Sequence, residues 1–462
     1  MKLSARNKAA FCFGAFGKDI VYMLVNSYLL YYYNVVLGIS SAFIGAVLMG
    51  ARIFDALNDP FMGIIVAKTR TRWGRFRPWI LSGTVMNAFI VYALFAVPDG
   101  MGNSGMKVWL TLIYLAWGVT YTMMDIPFWS MIPAITEPGK DREQLSSLAR
   151  SSSGIGDALP TVLTMVVVPV LSGTTALAGY RIGFKCWALI IAVAFLISEI
   201  VFVTNVPEKR AEEMKSSTIG EMFRSLFHND QALCVVAAVI LVYLALDIVG
   251  NLILYFFQFD MGNTNLYSVF TAVCFLTQVF FMMLVPVFRK KVEKLKLFSI
   301  TILLQVLGFL ILLGFAFSGI YKGAWTVLLL PGILVYASYG ILNVLLTIFL
   351  SDAVDYGESK SGKREESVIF SMQTFTVKLA SGVAAFLSGL AIDWIGLNTE
   401  AATQTAATLQ GLRIWMTIPS AILLVLAFII FKRFYKLNDK KMDEVMKKIQ
   451  KNKEETGLGE KE

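Results

Sequence analysis

Long apolar stretches, each about twenty residues or longer, recur along the whole of this 462-residue chain. A helix that crosses a bilayer needs roughly 17–25 mostly apolar residues. In lipid, backbone N–H and C=O groups must be satisfied within the protein, and single stretches of this length satisfy them as helices. Only 16% of the residues are charged and 56% are hydrophobic, whereas a soluble domain carries about 25% charged residues. We therefore predict an all-α polytopic membrane protein.

Twelve transmembrane helices are predicted from these apolar runs. They lie near residues 11–36, 41–66, 78–97, 107–134, 144–172, 181–205, 231–258, 265–287, 297–317, 323–352, 365–394 and 410–435. The loops between them differ in charge, and cytoplasmic loops carry an excess of Lys and Arg. One side holds Lys2, Arg6, Lys8, Lys68, Arg70, Arg72, Arg75, Arg77, Lys140, Arg142, Lys209, Arg210, Lys215, Arg289, Lys290, Lys291, Lys294, Lys360, Lys363, Arg364 and the Lys-rich tail. The opposite loops hold little beyond Lys107, Arg181, Lys185 and Lys322. Both termini are therefore predicted to be cytoplasmic, in a multi-pass protein of the cell (plasma) membrane.

The polar connection near the middle of the chain predicts its domain organisation. We expect an N-terminal six-helix bundle at 1–205, a cytoplasmic loop at 206–230, a C-terminal six-helix bundle at 231–435 and a charged cytoplasmic tail at 436–462. Two six-helix halves are typical of major-facilitator carriers, which bind substrate between the halves near the bilayer midplane. No fused regulatory or enzymatic domain is predicted. The net charge of +9 follows the membrane topology, so no nucleic-acid partner is expected.

Ionisable residues within the apolar runs point to function, because each costs about 2.5–3.5 kcal/mol near the bilayer centre. Arg52, Asp55 and Asp59 follow an i, i+3, i+7 spacing that places all three on one helix face. Two carboxylates one turn apart cannot both ionise comfortably unless a cation or a shared proton lies between them. Further oxygens for such a pocket are available from Asp19, Asn58 and Thr122. The oxygen-rich set suits a small hard cation such as Na⁺.

A purely structural interpretation of these charges is also open. Arg52 with Asp55 can form an internal salt bridge that locks helices together. Such pairs are weak stabilisers, however, and they leave the excess carboxylates unexplained. With no His or Cys near the acidic cluster, a zinc site or an intramembrane hydrolase is disfavoured. The charges form no ring, which argues against a channel. We predict a transporter and not an enzyme.

A second pattern in the fourth predicted span favours a sugar as substrate. Tyr121, Asp125 and Trp129 stand at i, i+4, i+8 and share one helix face. A carboxylate accepts protons from sugar hydroxyls, and an aromatic face takes the sugar's C–H groups. Arg150 is placed to donate a fork to vicinal hydroxyls. Lys378 is a lone cation in its own span, and we expect it to link cation occupancy to helix arrangement.

Several long motifs resemble those of the glycoside–pentoside–hexuronide:cation symporter family, and within it they are closest to melibiose carriers. They are residues 13–19 (FGAFGKD), 51–60 (ARIFDALNDP), 71–79 (TRWGRFRPW), 120–130 (TYTMMDIPFWS), 355–358 (DYGE), and Gln373-Thr374 with Lys378. The resemblance spans most of the chain. It implies a major-facilitator fold, alternating access, and co-transported Na⁺, Li⁺ or H⁺ in place of any cofactor.

The same resemblance implies roles for individual residues. Asp55 and Asp59 become the main Na⁺ ligands, helped by Asn58 and Thr122, while Arg52 and Lys378 serve coupling. The implied sugar site comprises Lys18, Asp19, Tyr121, Asp125, Trp129, Arg150, Gln373 and Thr374.

One departure bears on the substrate. Melibiose carriers have a tryptophan where this chain has Asn343. Loss of that aromatic wall weakens the expectation of a melibiose-like galactoside and leaves other glycosides, pentosides and hexuronides open. A cation-dependent lysolipid carrier of the same fold and a proton-only sugar symporter are the alternatives, and the compact polar set around Asp125 disfavours the lipid substrate.

Overall fold

The computed structural model describes residues 4–136, 140–174, 176–208, 229–361, 366–399, 401 and 403–455. These residues form α-helices joined by short turns, with no β-strand among them beyond an isolated Thr71–Gly74 bridge. The helices are α1 Ala5–Tyr31, α2 Ser41–Lys68, α3 Arg77–Phe95, α4 Asn103–Ile135, α5 Lys140–Ser172, α6 Tyr180–Asn205, α7 Asp230–Tyr255, α8 Thr264–Arg289, α9 Lys294–Ser318, α10 Leu329–Ser361, α11 Glu366–Trp394, α12 Ala406–Phe434 and α13 Asp439–Glu455. Each of the twelve predicted spans coincides with one of the helices α1 to α12.

Ten of these helices are long and apolar enough, by length and composition, to cross a membrane, counting described residues alone. The helices α2 and α4 are not among the ten. They carry the charged and aromatic residues that the sequence assigns to the cation and sugar sites. The all-α polytopic fold is confirmed, and the crossing of α2 and α4 stays a prediction.

The first of two compact units comprises Met1–Ser216, Phe257–Thr271 and Ala385–Gln404. Within it α1 packs against α5 and α6, α3 packs against α4 and α6, and α2 packs against α4. Three buried phenylalanine rings join α1, α4 and α6, since Phe128 lies 4.7 Å from both Phe11 and Phe202 between ring centroids. This aromatic core fixes the helices that carry Lys18, Asp125 and their neighbours.

An acidic cap in the same unit holds the start of α2. The Asp393 carboxylate accepts hydrogen bonds from the Ser40 hydroxyl at 2.6 Å and from the backbone N–H groups of Ser41 and Ala42 at 3.2 Å. A carboxylate at a helix N-terminus satisfies orphan N–H donors and complements the helix dipole. These hydrogen bonds connect the end of α11 to the start of α2, which explains why the end of α11 belongs to the first unit.

The second unit comprises Ser217–Phe256, Ala272–Ala384 and Thr405–Glu462. In it α7 packs against α10 and α12, and α9 packs against α10 and α12. Its core includes Phe431, whose ring centroid lies 4.2 Å from that of Phe298 and 4.3 Å from that of Tyr435. Part of the predicted tail forms α13, which buries Met442, Val445 and Ile449. The predicted domain bounds stay a prediction, because residues 209–228 of the middle loop lie outside the described residues.

Close helix packing in the first unit gives a test of the fold. A Cβ atom on Gly156 of α5 would collide with the backbone carbonyl of Phe16 on α1, whereas Gly154 has nothing within 4 Å of such an atom. We expect Gly156→Ala to cost about 1–3 kcal/mol of stability, because backbone cannot yield as a side chain does. Thermal unfolding of purified protein measures the change.

Gly154→Ala is the matched control on the same helix, and it is expected to be neutral or stabilising by about 0.5–1 kcal/mol. Equal unfolding temperatures for the two variants would contradict the α1–α5 contact.

Candidate functional site

Lys18 is the centre of a buried polar cluster in the first unit. Its side chain is 3% exposed, and its Nζ lies 2.6 Å from Asp19 Oδ1 and 2.8 Å from Asp125 Oδ1. The Tyr121 hydroxyl donates to Asp19 Oδ1 at 3.2 Å. One ammonium therefore holds two carboxylates from different helices, and Asp19 belongs to this cluster. The structure brings together four of the residues predicted to bind sugar.

An indole ring forms one wall of this cluster. Trp129 Nε1 donates to Asp125 Oδ1 at 3.1 Å, and Lys18 Nζ lies 4.9 Å from the ring centroid. The guanidinium of Arg150, which is exposed, lies 3.9 Å from the same centroid. The arrangement offers an aromatic face, a carboxylate and a guanidinium side by side, which is the set that a sugar ring needs.

A second cluster surrounds Arg52 on α2. Arg52 Nη1 lies 3.8 Å from Asp55 Oδ2, and Nη2 donates to Asn26 Oδ1 at 3.1 Å. The guanidinium also lies over the rings of Tyr22 and Trp117, at 5.4 and 5.7 Å from their centroids. Both Arg52 and Asp55 are buried. The ion pair that the sequence left open as a structural lock is present.

The two carboxylates of α2 face α4, as their spacing predicts. A Cβ atom on Gly118 would collide with the Asp55 carboxylate, and the Thr122 hydroxyl donates to Asp59 Oδ1 at 3.0 Å. Gly118 and Thr122 are one turn apart on α4, as Asp55 and Asp59 are on α2. The absence of a side chain at Gly118 leaves room for the Asp55 carboxylate.

The chemistry of this α2–α4 face decides which cation fits it. Asn58, which is partly buried, lies next to Asp59 on α2. Within the described ranges, no three His, Cys, Asp or Glu side chains converge as metal ligands do. The ligand set predicted from the sequence consists of two carboxylates, one amide and one hydroxyl. Such an all-oxygen set suits a monovalent hard cation. The Na⁺ site at Asp55 and Asp59 stays a prediction.

Fewer of the predicted residues are described in the second unit. The side chains of Gln373 and Thr374 lie outside the described part of the structure. Lys378 lies on α11 and is partly buried. At the position of the missing tryptophan, Asn343 Nδ2 donates to the Tyr243 hydroxyl at 2.9 Å, and the Tyr243 ring meets that of Tyr339 edge-on at 5.9 Å. A polar aromatic patch therefore occupies this part of the second unit.

Sequence reasoning did not single out Glu199 on α6. Its side chain is 0% exposed, and neither carboxylate oxygen has a hydrogen-bond partner among the described residues. Lys18, Asp19 and Asp125 lie within electrostatic range of it. The signal was visible, because Glu199 is the one charged residue in the apolar run 187–207. Asn26, Tyr22 and Trp117 were also missed, since spacing along one helix does not identify partners on another.

The sequence profile of the family described as MFS/sugar transport protein matches residues 10–439. The chain belongs to this family. Membership confirms the resemblance to glycoside–pentoside–hexuronide:cation symporters. The protein is therefore a multi-pass membrane sugar transporter and not an enzyme.

Two relatives and one solved structure illustrate the match. The isoprimeverose transporter of Lactiplantibacillus pentosus is 28% identical over 423 residues, covering 90% of this chain and 86% of the relative. The lactose permease of Lactobacillus delbrueckii subsp. bulgaricus is 26% identical over 468 residues, covering 97% and 73%. A crystal structure of a D-xylose–proton symporter superposes with a TM-score of 0.65 at 14% identity, covering 94% of this chain and 98% of that chain. At that identity the structural match supports the fold alone.

The Lys18 cluster gives a prediction about stability. Lys18→Met leaves Asp19 and Asp125 without their shared cation, and breaking a buried pair in this way costs about 3–5 kcal/mol. We expect a clear fall in the thermal unfolding temperature of the purified protein at neutral pH.

The control is Lys185→Met, which changes an exposed lysine on α6 and should leave unfolding unchanged. If Lys18→Met unfolds at the wild-type temperature, Lys18 does not hold the cluster together.

Proposed function

We propose that the protein takes up a glycoside together with Na⁺ by alternating access. The observation that carries the proposal is the α2–α4 face, where Asp55 lies against Gly118 and Asp59 accepts from Thr122. Arg52 pairs with Asp55, and two carboxylates of like charge one turn apart favour an additional positive charge beside them. A cation that binds there from one side and leaves to the other side supplies that charge and drives the cycle.

The Lys18 cluster is the proposed sugar site. Its carboxylates, Asp19 and Asp125, already accept from an ammonium and a phenol at hydrogen-bond distance, and sugar hydroxyls are donors of the same kind. Trp129 supplies the aromatic face and Arg150 the guanidinium fork. Two relatives are named for the transport of lactose and isoprimeverose, which supports a disaccharide glycoside as the substrate. Because Asn343 replaces the tryptophan of melibiose carriers, pentosides and hexuronides remain among the substrates to be tested.

A chain of contacts links the two proposed sites within the first unit. Lys18 Nζ lies 3.4 Å from the Tyr121 hydroxyl, and the Tyr121 ring lies 5.3 Å from the Tyr22 ring. Tyr22 in turn lies under the Arg52 guanidinium, which pairs with Asp55. We propose that this chain transmits cation occupancy to the sugar site, with Lys378 adding a second coupling group from α11.

Uptake into membrane vesicles tests the function directly. The panel is melibiose, lactose, isoprimeverose and a methyl glucuronide, each under an imposed Na⁺, Li⁺ or H⁺ gradient. With about 100 mV negative inside, one inward positive charge contributes roughly 2.3 kcal/mol, enough for about 50-fold accumulation. We expect at least one glycoside to accumulate under Na⁺. Accumulation under H⁺ alone would favour the proton-only symporter, and no accumulation under any gradient would reject symport of these sugars.

Replacement of the acids tests the cation site. Asp55→Cys and Asp59→Cys each remove one carboxylate ligand. We expect the stimulation of uptake by Na⁺ to fall about tenfold or more in each variant, because a charged ligand contributes at least about 1.4 kcal/mol to cation binding. Asp99→Asn is the control, since its side chain is 96% exposed and it pairs only at the surface with Arg181. Unchanged Na⁺ dependence in both cysteine variants would leave the acids as scaffolding.

A further inference from the structure

Glu199 is a buried acid for which neither proposed site has a use. It lies on α6, which packs against α1, α3 and α5. Its side chain is fully buried, and both carboxylate oxygens lack a hydrogen-bond partner within the described residues. A carboxylate that is removed from water and satisfied by no donor costs several kcal/mol, whereas the neutral acid costs far less. Protonation, which makes the group neutral, is therefore the least costly state of Glu199 at this buried position.

Among the described residues, Lys18 is the one cation whose charge acts on Glu199. From α1 come Lys18 and Asp19, and from α4 comes Asp125. On α5, Asp157 interacts electrostatically with Asp19, Lys18 and Arg150, and α3 carries no charged residue beyond Arg77 at its first turn. Lys18 is already shared between Asp19 and Asp125 at 2.6 and 2.8 Å, and among the described residues no cation is paired with the Glu199 carboxylate.

The backbone geometry places Lys18 and Glu199 on directly contacting turns. A Cβ atom on Gly17 would collide with the Ser198 side chain, and one on Gly14 would lie 2.9 Å from Phe202 Cβ. The α1 and α6 helices therefore touch at the residues that precede Lys18 and Glu199 in the chain. A long, unbranched lysine side chain needs only a change of rotamer to exchange carboxylate partners between neighbouring helices.

We propose that Glu199 is a proton-binding site, and that its proton leaves to solvent when Lys18 moves from Asp19 and Asp125 to the Glu199 carboxylate. In this step the carboxyl O–H bond breaks, one proton is released, and the lysine ammonium donates to the new carboxylate. In the transport cycle, which rests on the function proposed above, sugar hydroxyls take the place of Lys18 on Asp19 and Asp125. Sugar entry and proton release are then linked through one lysine.

Infrared difference spectroscopy of the full-length protein in lipid vesicles tests the proton site without any sugar. Spectra are recorded between about pH 5 and about pH 9. The wild type is expected to show, at neutral pH, the C=O stretching band of a protonated carboxyl, and Glu199→Gln is expected to lack it. Glu199→Asp should retain a shifted band. Glu208→Gln is the matched control, because the Glu208 carboxylate accepts from the backbone N–H groups of Arg75 and Phe76 and should contribute no such band. A band that is identical in wild type and Glu199→Gln would overturn the proton site.

Two further variants test the exchange of Lys18. Lys18→Gln removes the cation that replaces the proton, so the band should persist to a higher pH than in the wild type. Asp125→Asn releases Lys18 towards Glu199, so the band should vanish at a lower pH. If the pH midpoint of the band in either folded variant equals that of the wild type, the exchange of Lys18 is overturned. The proton site itself is tested by Glu199→Gln, and the proposed symport by the uptake assays.

Discussion

The first unit depends on how a low-dielectric interior accommodates more acids than bases. Away from their ends, the helices α1 to α6 carry six carboxylates and three bases, which are Asp19, Asp55, Asp59, Asp125, Asp157 and Glu199 against Lys18, Arg52 and Arg150. The geometry groups them, since Lys18 holds Asp19 with Asp125 and Arg52 pairs with Asp55. Two further acids belong to the proposals made above, Asp59 to the cation site and Glu199 to the proton site. We propose that the transported cation and a bound proton offset this excess of acids.

The helix α4 contributes residues to both the proposed cation site and the proposed sugar site. Gly118 and Thr122 face the acids of α2, while Tyr121 and Asp125 face Lys18 on α1. A small rotation or shift of α4 therefore changes both faces together. In our proposal α4 is the one element that both the cation and the sugar contact, which is what linkage between the two ligands requires.

The sequence predicted more of the fold than of the site. All twelve apolar runs became helices because backbone satisfaction in lipid leaves few alternatives. The shared face of Asp55 and Asp59 followed from helical periodicity. Spacing along one helix could not identify partners on another helix. The hydrogen bond from Arg52 to Asn26 and the close approach of Asp55 to Gly118 are therefore visible only in the structure. Glu199 was overlooked although its charge in an apolar run was visible, because it belongs to no i, i+4 pattern with another polar residue. The tail was predicted as charged, yet Met442, Val445 and Ile449 give α13 a buried apolar face.

Direct Na⁺ binding to purified, sugar-free protein tests the central claim most simply. Titration of NaCl into protein kept in choline chloride, followed by calorimetry, should report one Na⁺ bound per chain. The Asp59→Asn protein should report no binding, because the hydroxyl of Thr122 and the amide of Asn58 cannot replace a carboxylate charge. Binding that survives in Asp59→Asn, or an absence of binding in the wild type, would contradict the account of these acids as a cation site.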